Sequence, residues 1–191
     1  MRSLVQVDSL YPAALGTIPG DATPQVISLI GNSDILQNKK LAVISSVKCP
    51  GHIILKTYDL MKQLRDAGVT VISGFHSPME QECLNILLKG SQPIIVCPAR
   101  SLEGMRIKAE FRKPLEDGRL LILSPFTAKY NRISAARAEC RNRFVVALAD
   151  EILVPYAAPG SKTELLCAEA ARWSRPVVRL DLGNAALSFA Y

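Results

Sequence analysis

The sequence lacks any apolar stretch that could cross a membrane. No window of the 191 residues reaches the ~18 consecutive apolar residues that a transmembrane helix requires. The first residues also lack the uninterrupted apolar segment of a secretory signal peptide, because Gln6, Asp8 and Ser9 break it. We therefore expect a cytoplasmic protein with no membrane partner.

Paired cysteines are missing too. The five cysteines (Cys49, Cys83, Cys97, Cys140 and Cys167) form no C-x-x-C motif, and their number is odd. Such a set favours neither a disulfide framework nor a zinc site. We interpret these cysteines as small buried hydrophobic residues in a reducing compartment.

Several motifs of catalysis and cofactor binding are also absent. The sequence contains no G-x-S-x-G, no H-E-x-x-H and no paired catalytic cysteine–histidine motif. The loop SSVKCPGH lacks the G-x-G-x-x-G glycines that NAD or FAD requires. Glu80 and Glu164 are the candidates for a general base, and both are compatible with capping or solvent-facing positions on helices. We expect no cofactor, no metal, and a binding protein rather than an enzyme.

What the sequence does contain is concentrated positive charge. The net charge is +6, and segment 99–143 holds eleven Lys and Arg residues against five acidic ones, so it accounts for the whole excess. A local basic field favours a polyanion such as nucleic acid, a nucleotide or an acidic partner. A solvated basic face without a ligand is the alternative.

Apolar runs and helical patterns alternate from residue 40 onward. Continuous apolar runs, typical of strands buried on both faces, predict strands at 41–46, 69–73, 94–97, 120–123, 152–154 and 177–180. This alternation predicts an α/β fold: a Rossmann-like parallel sheet of about six strands with helices on both faces. Residues 1–38 are predicted as an irregular N-terminal arm that packs on a single domain spanning 39–191.

Ligands of such sheets bind beyond the carboxyl ends of the strands, which draws attention to the loops at 45–52, 73–78, 97–104 and 156–163. The first two offer Ser45, Ser46 and Lys48, and then Ser73, Gly74 and His76. A glycine lets a ligand approach the backbone. His76 could contact a phosphate or a base, although a lone loop histidine is also typical of an ordinary surface.

The last of these loops, APGSKTE, has only part of a Walker phosphate-binding motif. That motif requires G-x-x-x-x-G-K-[ST], whereas Pro155 occupies the first glycine position and Ser161 precedes Lys162. Gly160, Ser161, Lys162 and Thr163 still place a tight turn, a cap and a charge at a helix N-terminus, where free N–H groups attract anions. We predict an anion cradle here, with an ordinary capped helix as the alternative.

The run Arg141–Asn142–Arg143 could supply further charge to this cradle. If its helix begins near Ser134, the two arginines are about 200° apart and only one can face the loop. If the helix begins near Cys140, both lie in the first turn and could converge.

The order of these segments resembles the DprA/Smf DNA-processing family over about residues 10–180. The segments are SLYPAALGTI, SLIGNSDIL, KLAVISS, VTVISG, GRLLILSPF, RNRFVVALADEILV and GSKTELLCAEAARWSRPVV. The most specific part is RNR, followed by strand 152–154 and then by Gly160, Ser161 and Thr163. The resemblance implies a Rossmann-like domain of the superfamily that includes the lysine-decarboxylase-like LOG proteins. It also implies single-stranded DNA binding in a basic pocket, delivery of that DNA to a RecA-type recombinase, and a homodimer.

The chain departs from the family pattern at three places. Lys48 is the cation nearest to the position of the family arginine after the first strand. Segment 76–80 replaces the A.GID turn and keeps only an acid at its end. Ala138 and Glu139 stand where the family has an aromatic residue and a proline before RNR.

The predicted function is single-stranded DNA binding in DNA processing, DNA-mediated transformation and recombination. The alternatives are a nucleotide-binding sensor or a LOG-like nucleotide phosphoribohydrolase, because PGSKTE partly matches the LOG pattern PGG.GT..E, and a structural partner protein. The predicted contacts to nucleic acid are Ser45, Ser46, Lys48, Ser73, Gly74, His76, Arg141, Asn142, Arg143, Gly160, Ser161, Lys162 and Thr163.

Overall fold

The computed structural model describes residues 1–6, 8–17, 23–183 and 187–189. The other residues belong to the predicted arm (7 and 18–22) and to the end of the predicted domain (184–186 and 190–191). They lie outside the described part of the chain.

Strands and helices alternate along most of the chain. The strands are β1 (Arg2–Val5), β2 (Val26–Gly31), β3 (Lys40–Val43), β4 (Thr70–Ser73), β5 (Ile94–Val96), β6 (Leu120–Ser124), β7 (Glu151–Val154) and β8 (Val177–Arg179). The helices are α1 (Gly51–Asp66), α2 (Pro78–Leu87), α3 (Ala109–Glu116), α4 (Ala135–Leu148) and α5 (Lys162–Arg172), with short 3-10 turns at Ala13–Thr17, Ser33–Gln37 and Leu180–Leu182. None of these helices is long and apolar enough to span a bilayer.

The strands form one sheet in the order β1-β2-β6-β5-β4-β3-β7-β8. The six strands from β3 to β8 are parallel and correspond to the six predicted runs, so the predicted Rossmann-like α/β fold is confirmed. The chain moves outward from β3 to β6 and then returns to the other side of β3 with β7. The topological switch point therefore lies between β3 and β7.

The N-terminal segment contributes two strands that the sequence did not predict. β2 pairs antiparallel with β6, and β1 pairs antiparallel with β2. Burial alternates along most of β2, with Ile27 and Leu29 inward, as in a strand covered mainly on one face. The sheet thus has eight strands rather than about six, and this part of the predicted irregular arm is regular structure.

Two apolar layers enclose the sheet because successive strand residues point to opposite faces. Ala42 and Ile44 face a cluster that includes Phe144 of α4 and Leu166 of α5. Leu41 and Val43 face the other cluster, which is built from α1, α2 and α3. The parallel strands are therefore buried on both sides, and their loops are left to form the functional surface.

Candidate nucleic-acid interface

The loops after β3 and β7 meet at the switch point and are hydrogen-bonded to each other. The Ser46 amide donates to the Tyr156 carbonyl (2.9 Å), and Ser46 Oγ accepts from the Ala158 amide (3.0 Å). Ser46 Oγ also lies 3.3 Å from Ser161 Oγ. Ser46 thus serves to join the two loops, and it is only 7% exposed.

The APGSKTE loop is a capped helix start. Gly160 adopts a positive φ of 70°, and its amide donates to Glu164 Oε2 (2.7 Å). Ser161 Oγ accepts from the Glu164 amide (3.2 Å). The carboxylate of Glu164 therefore already occupies one N–H group that the predicted cradle would offer to an anion.

The two remaining residues of that loop point in different directions. Lys162 is exposed, and its Nζ is paired with the Glu139 carboxylate. Thr163 is half-buried and lines a small apolar space beside Ile44 and Val154. Only Lys162 presents a group that a phosphate in solution could reach.

Helix α4 begins at Ala135, and Ser134 Oγ accepts from the Arg137 amide (3.3 Å). This start gives the arrangement in which Arg141 and Arg143 diverge, so convergence of both on the APGSKTE loop is excluded. Arg143 reaches α5 and makes a two-bond ion pair with Glu169, with both N···O distances 2.7 Å. Arg141 instead points toward the loops after β4 and β5.

Arg141 is almost completely buried, with 3% exposure. Its Nη1 donates to the Cys97 carbonyl (2.8 Å) and its Nε to Asn142 Oδ1 (2.7 Å). A Cβ atom at Gly74 would lie 1.5 Å from Nη1, so only glycine leaves room for this guanidinium. Burial lowers the pKa of Arg141, while the negative charge of Glu80 opposes that shift.

Glu80 connects the loops after β3 and β4 from a buried position. Its Oε1 accepts from the Ser45 amide (3.0 Å), and its Oε2 accepts from the amides of His76 (2.8 Å) and Ser77 (3.3 Å). Ser77 Oγ in turn accepts from the Glu80 amide, which completes a capping box. Its carboxylate is therefore engaged in holding loop backbone.

The residues that end β4 have distinct roles. Ser73 is fully buried; its Oγ donates to the Val43 carbonyl (2.7 Å) and accepts from the Phe75 amide (3.1 Å). Phe75 has a positive φ of 47°, an uncommon conformation for a bulky residue. The side chain of His76 is exposed. Ser73 is thus structural, whereas His76 is accessible.

A groove between α4 and α5 collects opposite charges. It has a volume of about 80 Å³, and its lining includes Glu139, Asn142, Arg143, Lys162 and Glu169. Each of its two cations is paired with one of its two acids. The hydrogen bonds from Arg143 hold the pKa of Glu169 below its usual value. The charge that the sequence assigned to the cradle is therefore largely neutralised.

A larger cavity of about 230 Å³ lies at the carboxyl ends of β4, β5 and β6, and we call it the β4–β6 cavity. It brings together three predicted residues, Gly74, His76 and Arg141. Its wall also includes Arg100, Arg106 and Lys108, which the sequence analysis did not select. The available signal was their place in the basic segment 99–143, but a pattern without helical or strand periodicity does not show which side chains converge.

No group of three or more His, Cys, Asp and Glu side chains within the described ranges could hold a metal ion.

Lys48, in the loop after β3, is exposed and forms no ion pair with any described residue. The carboxyl edge therefore presents cations from several loops.

Comparison with known proteins identifies the family. The model of the family described as DNA recombination-mediator protein A matches residues 2–184. The chain belongs to this family. The resemblance predicted from the sequence is thus confirmed.

Solved structures of this family share the fold. DNA processing protein A from Streptococcus pneumoniae superposes with a TM-score of 0.78 at 20% identity; the match covers 93% of this chain and 62% of that protein. This chain therefore spans less than two thirds of the S. pneumoniae protein. The protein from Helicobacter pylori, whose structure gives insight into its single-stranded DNA binding mode, has a TM-score of 0.75 at 19% identity, with 97% and 90% coverage.

The fold extends beyond the family. The molybdenum cofactor carrier protein of Chlamydomonas reinhardtii superposes with a TM-score of 0.50 at 16% identity. The match covers 74% of this chain and 76% of the carrier protein. No functionally curated protein matches the chain.

Proposed function

We propose that this protein binds single-stranded DNA at the carboxyl edge of its sheet and acts in DNA processing, DNA-mediated transformation and recombination. The observation on which this rests is a set of cations there with no acidic partner among the described residues: Lys48, Arg100, Arg106 and Arg141. Such cations neutralise phosphates and release counterions. The family assignment and the DNA-binding relative from H. pylori agree with this proposal.

The thirteen residues predicted from the sequence divide into two groups in this proposal. Ser45, Ser46, Ser73, Ser161 and Thr163 shape the loops, since their side chains or amides bond or pack against other parts of the protein. Gly74 and Gly160 also shape the loops, because the Arg141 guanidinium fills the space beside Gly74 and the Gly160 amide donates to Glu164. The remaining residues contact the DNA strand: Lys48, His76, Arg141, Asn142, Arg143 and Lys162. Among these, Arg143 and Lys162 engage phosphates by exchanging their acidic partners for them.

A binding role fits the site better than a LOG-like hydrolase role. The carboxylate of Glu80 accepts three backbone N–H groups, and that of Glu164 accepts the Gly160 amide. Burial raises the pKa of Cys97 to about 12, so this thiol stays protonated. A general base or a nucleophile needs a free, reactive group, and these three groups are not free.

Binding of a labelled dT oligonucleotide and of duplex DNA at two salt concentrations tests the proposal. We expect tighter binding to the single strand, and a salt slope that falls by about 1.4 in Lys48→Ala/Arg106→Ala, at about 0.7 per lost phosphate contact. The control Lys89→Ala/Arg112→Ala removes the same charge from exposed residues outside the cavity. An unchanged slope in the folded test variant, or equal affinity for duplex DNA, contradicts the proposal.

We also propose that the protein forms a homodimer in the cytoplasm and delivers DNA to a RecA-type recombinase. Its five cysteines are all free thiols, which agrees with a reducing compartment. The chain has a mass of 20.8 kDa, so light scattering at micromolar concentration should give twice that value. A monomeric mass contradicts the dimer.

A further inference from the structure

The β4–β6 cavity is positively charged and has no acid in its wall. Its lining contains four Lys or Arg residues and His76, but no Asp or Glu. Arg100 and Arg106 form no ion pair with any described residue, while Lys108 is paired with the exposed Glu110 (3.3 Å). This charge balance distinguishes the cavity from the groove between α4 and α5, where each cation has an acid. An anionic ligand is therefore favoured here.

The floor of the cavity is apolar and partly aromatic. Phe75 and Phe111 are 7% and 6% exposed, and Met105 and Ile122 also line the space. The positive φ of Phe75 is a strained conformation of the kind found at binding sites. A ligand that matches this cavity therefore combines a flat apolar or aromatic group with a negatively charged group.

Arg141 contributes a positive charge to the wall of the cavity, and the hydrogen bonding of its guanidinium is incomplete. Its Nε and Nη1 atoms are hydrogen-bonded. Its Nη2 atom forms no hydrogen bond with a described residue, and it is not one of the fully buried polar atoms without a partner, so a ligand in the cavity can reach it. A buried guanidinium without a bonded counterion is costly. An anion bound in the cavity would provide the missing acceptor.

We propose that the β4–β6 cavity binds one nucleotide unit, with the base against Phe75 and Phe111 and the phosphate on Arg100, Arg106 and Arg141. The cavity is smaller than the ~300 Å³ lower limit for typical ligand pockets, so it fits one base rather than a longer segment. Bases stack on aromatic side chains irrespective of sequence. The choice of a nucleotide as the ligand rests on the proposed function, whereas the choice of this cavity as the binding site rests on its own charge and shape. The unit is either a free nucleoside monophosphate or one nucleotide of a bound strand.

Ala138 gives a direct way to fill the cavity. It lines the cavity from the first turns of α4, whereas Ala136 on the same helix is exposed and lies outside the lining. Ala138→Phe should occupy the position of the base, and Ala136→Phe is the matched control. Arg106→Ala, with Arg112→Ala as its control, removes a phosphate contact without filling space. Thermal unfolding verifies that each variant is folded.

Calorimetry with dTMP, dAMP, thymidine and inorganic phosphate, and fluorescence binding of a dT oligonucleotide, test the proposal. If the site takes free nucleotides, dTMP or dAMP binds more tightly than thymidine or phosphate, and Ala138→Phe weakens that binding roughly tenfold, the scale of one stacked base. If the site takes a nucleotide of the strand, free nucleotides do not bind, but Ala138→Phe weakens oligonucleotide binding by a similar factor. In both cases Arg106→Ala also weakens binding, while Ala136→Phe and Arg112→Ala do not.

The outcomes separate this proposal from the proposed function. Intact oligonucleotide binding by Ala138→Phe, together with no binding of any mononucleotide to the unaltered protein, overturns the cavity proposal and leaves DNA binding in place. Mononucleotide binding that Ala138→Phe abolishes, without any oligonucleotide binding, supports the cavity and rejects the proposed function. Binding of nucleotides that is equal in all variants places them elsewhere and overturns the cavity proposal.

Discussion

Two buried charged residues, Glu80 and Arg141, hold the loops at the carboxyl edge in their positions. Glu80 fixes the backbone after β3 and β4, and Arg141 is bonded to the carbonyl of Cys97 after β5. Glu80 and Arg141 form no direct ion pair, but the negative charge of Glu80 acts electrostatically on Arg141 through the protein interior. Single substitutions here should affect both stability and loop geometry.

We expect Glu80→Gln to destabilise the fold by about 2 kcal/mol, because hydrogen bonds to a charged group contribute more than neutral ones. The amide group of glutamine also presents a donor to N–H groups that need an acceptor. Urea denaturation measures the change. Glu82→Gln on the exposed face of the same helix is the control and should change stability by less than about 0.5 kcal/mol. Equal effects of the two variants contradict the role given to Glu80.

The sequence located several residues at the carboxyl edge of the sheet, but it did not predict the partners of their side chains. Ser73, Gly74 and Arg141 were selected because they lie at strand ends or in a basic run. Their contacts join segments far apart in the chain, such as Arg141 with Cys97. Residue type and local spacing do not encode such pairings, so the structural role of Ser73 and the reason for glycine at position 74 required the fold.

At the scale of elements, the pairing of α4 with α5 controls the charge available to DNA. The helix start at Ala135 sets the direction of each arginine. Glu139 and Glu169 then bind Lys162 and Arg143 across the groove. These carboxylates form ion pairs with the same cations that would otherwise pair with the phosphates of DNA.

We therefore expect Glu139→Gln/Glu169→Gln to bind a dT oligonucleotide several-fold more tightly than the unaltered protein. Each cation released to a phosphate should steepen the salt slope by about 0.7. Glu82→Gln/Glu116→Gln removes the same negative charge from exposed residues and is the control. If both double variants gain affinity equally, the effect is that of net charge alone and the groove has no specific role.

Helix phase explains why the sequence left the directions of Arg141 and Arg143 open. The capping residues Ser134 and Ser161 are visible in the sequence, but the sequence alone left the start of α4 open by about two turns. That uncertainty decides whether Arg141 and Arg143 converge. The structure places them on different sides, and the acids of the groove were not foreseen because they lie on separate helices.

At the scale of the whole molecule, the N-terminal strands are part of the core. Leu4, Ile27 and Leu29 belong to the same apolar cluster as Phe144 of α4. β2 also covers the edge of β6 that would otherwise be unpaired. The domain that folds as a unit should therefore include these strands.

Leu29→Ala should destabilise the protein by roughly 2–5 kcal/mol, as expected for loss of a buried leucine side chain. Leu55→Ala on α1, where the leucine is 66% exposed, is the control and should change stability by less than about 0.5 kcal/mol. Denaturant unfolding distinguishes the two. A small effect of Leu29→Ala means that β1 and β2 are dispensable for the fold.

The sequence predicted the parallel strands well and the antiparallel ones poorly. Continuous apolar runs such as that of β6 mark a strand buried on both faces, and they need no knowledge of the partner. β1 has only four residues, and it is mostly exposed. β2 lies in the segment predicted as an irregular arm, and its antiparallel place beside β6 depends on a pairing between residues about ninety positions apart. Local patterns contain no information on such a partner.

The uneven pairing of charges along the carboxyl edge has a consequence for the kinetics of encounter. The groove between α4 and α5 is close to neutral, because each of its cations is paired with an acid, whereas the wall of the β4–β6 cavity contains cations and no acid. A diffusing polyanion is drawn toward the cavity more strongly than toward the groove, which raises the association rate and orients the approach. At physiological ionic strength this attraction extends about 8 Å, so the first collision of a strand is biased toward the cavity before the paired cations exchange their partners.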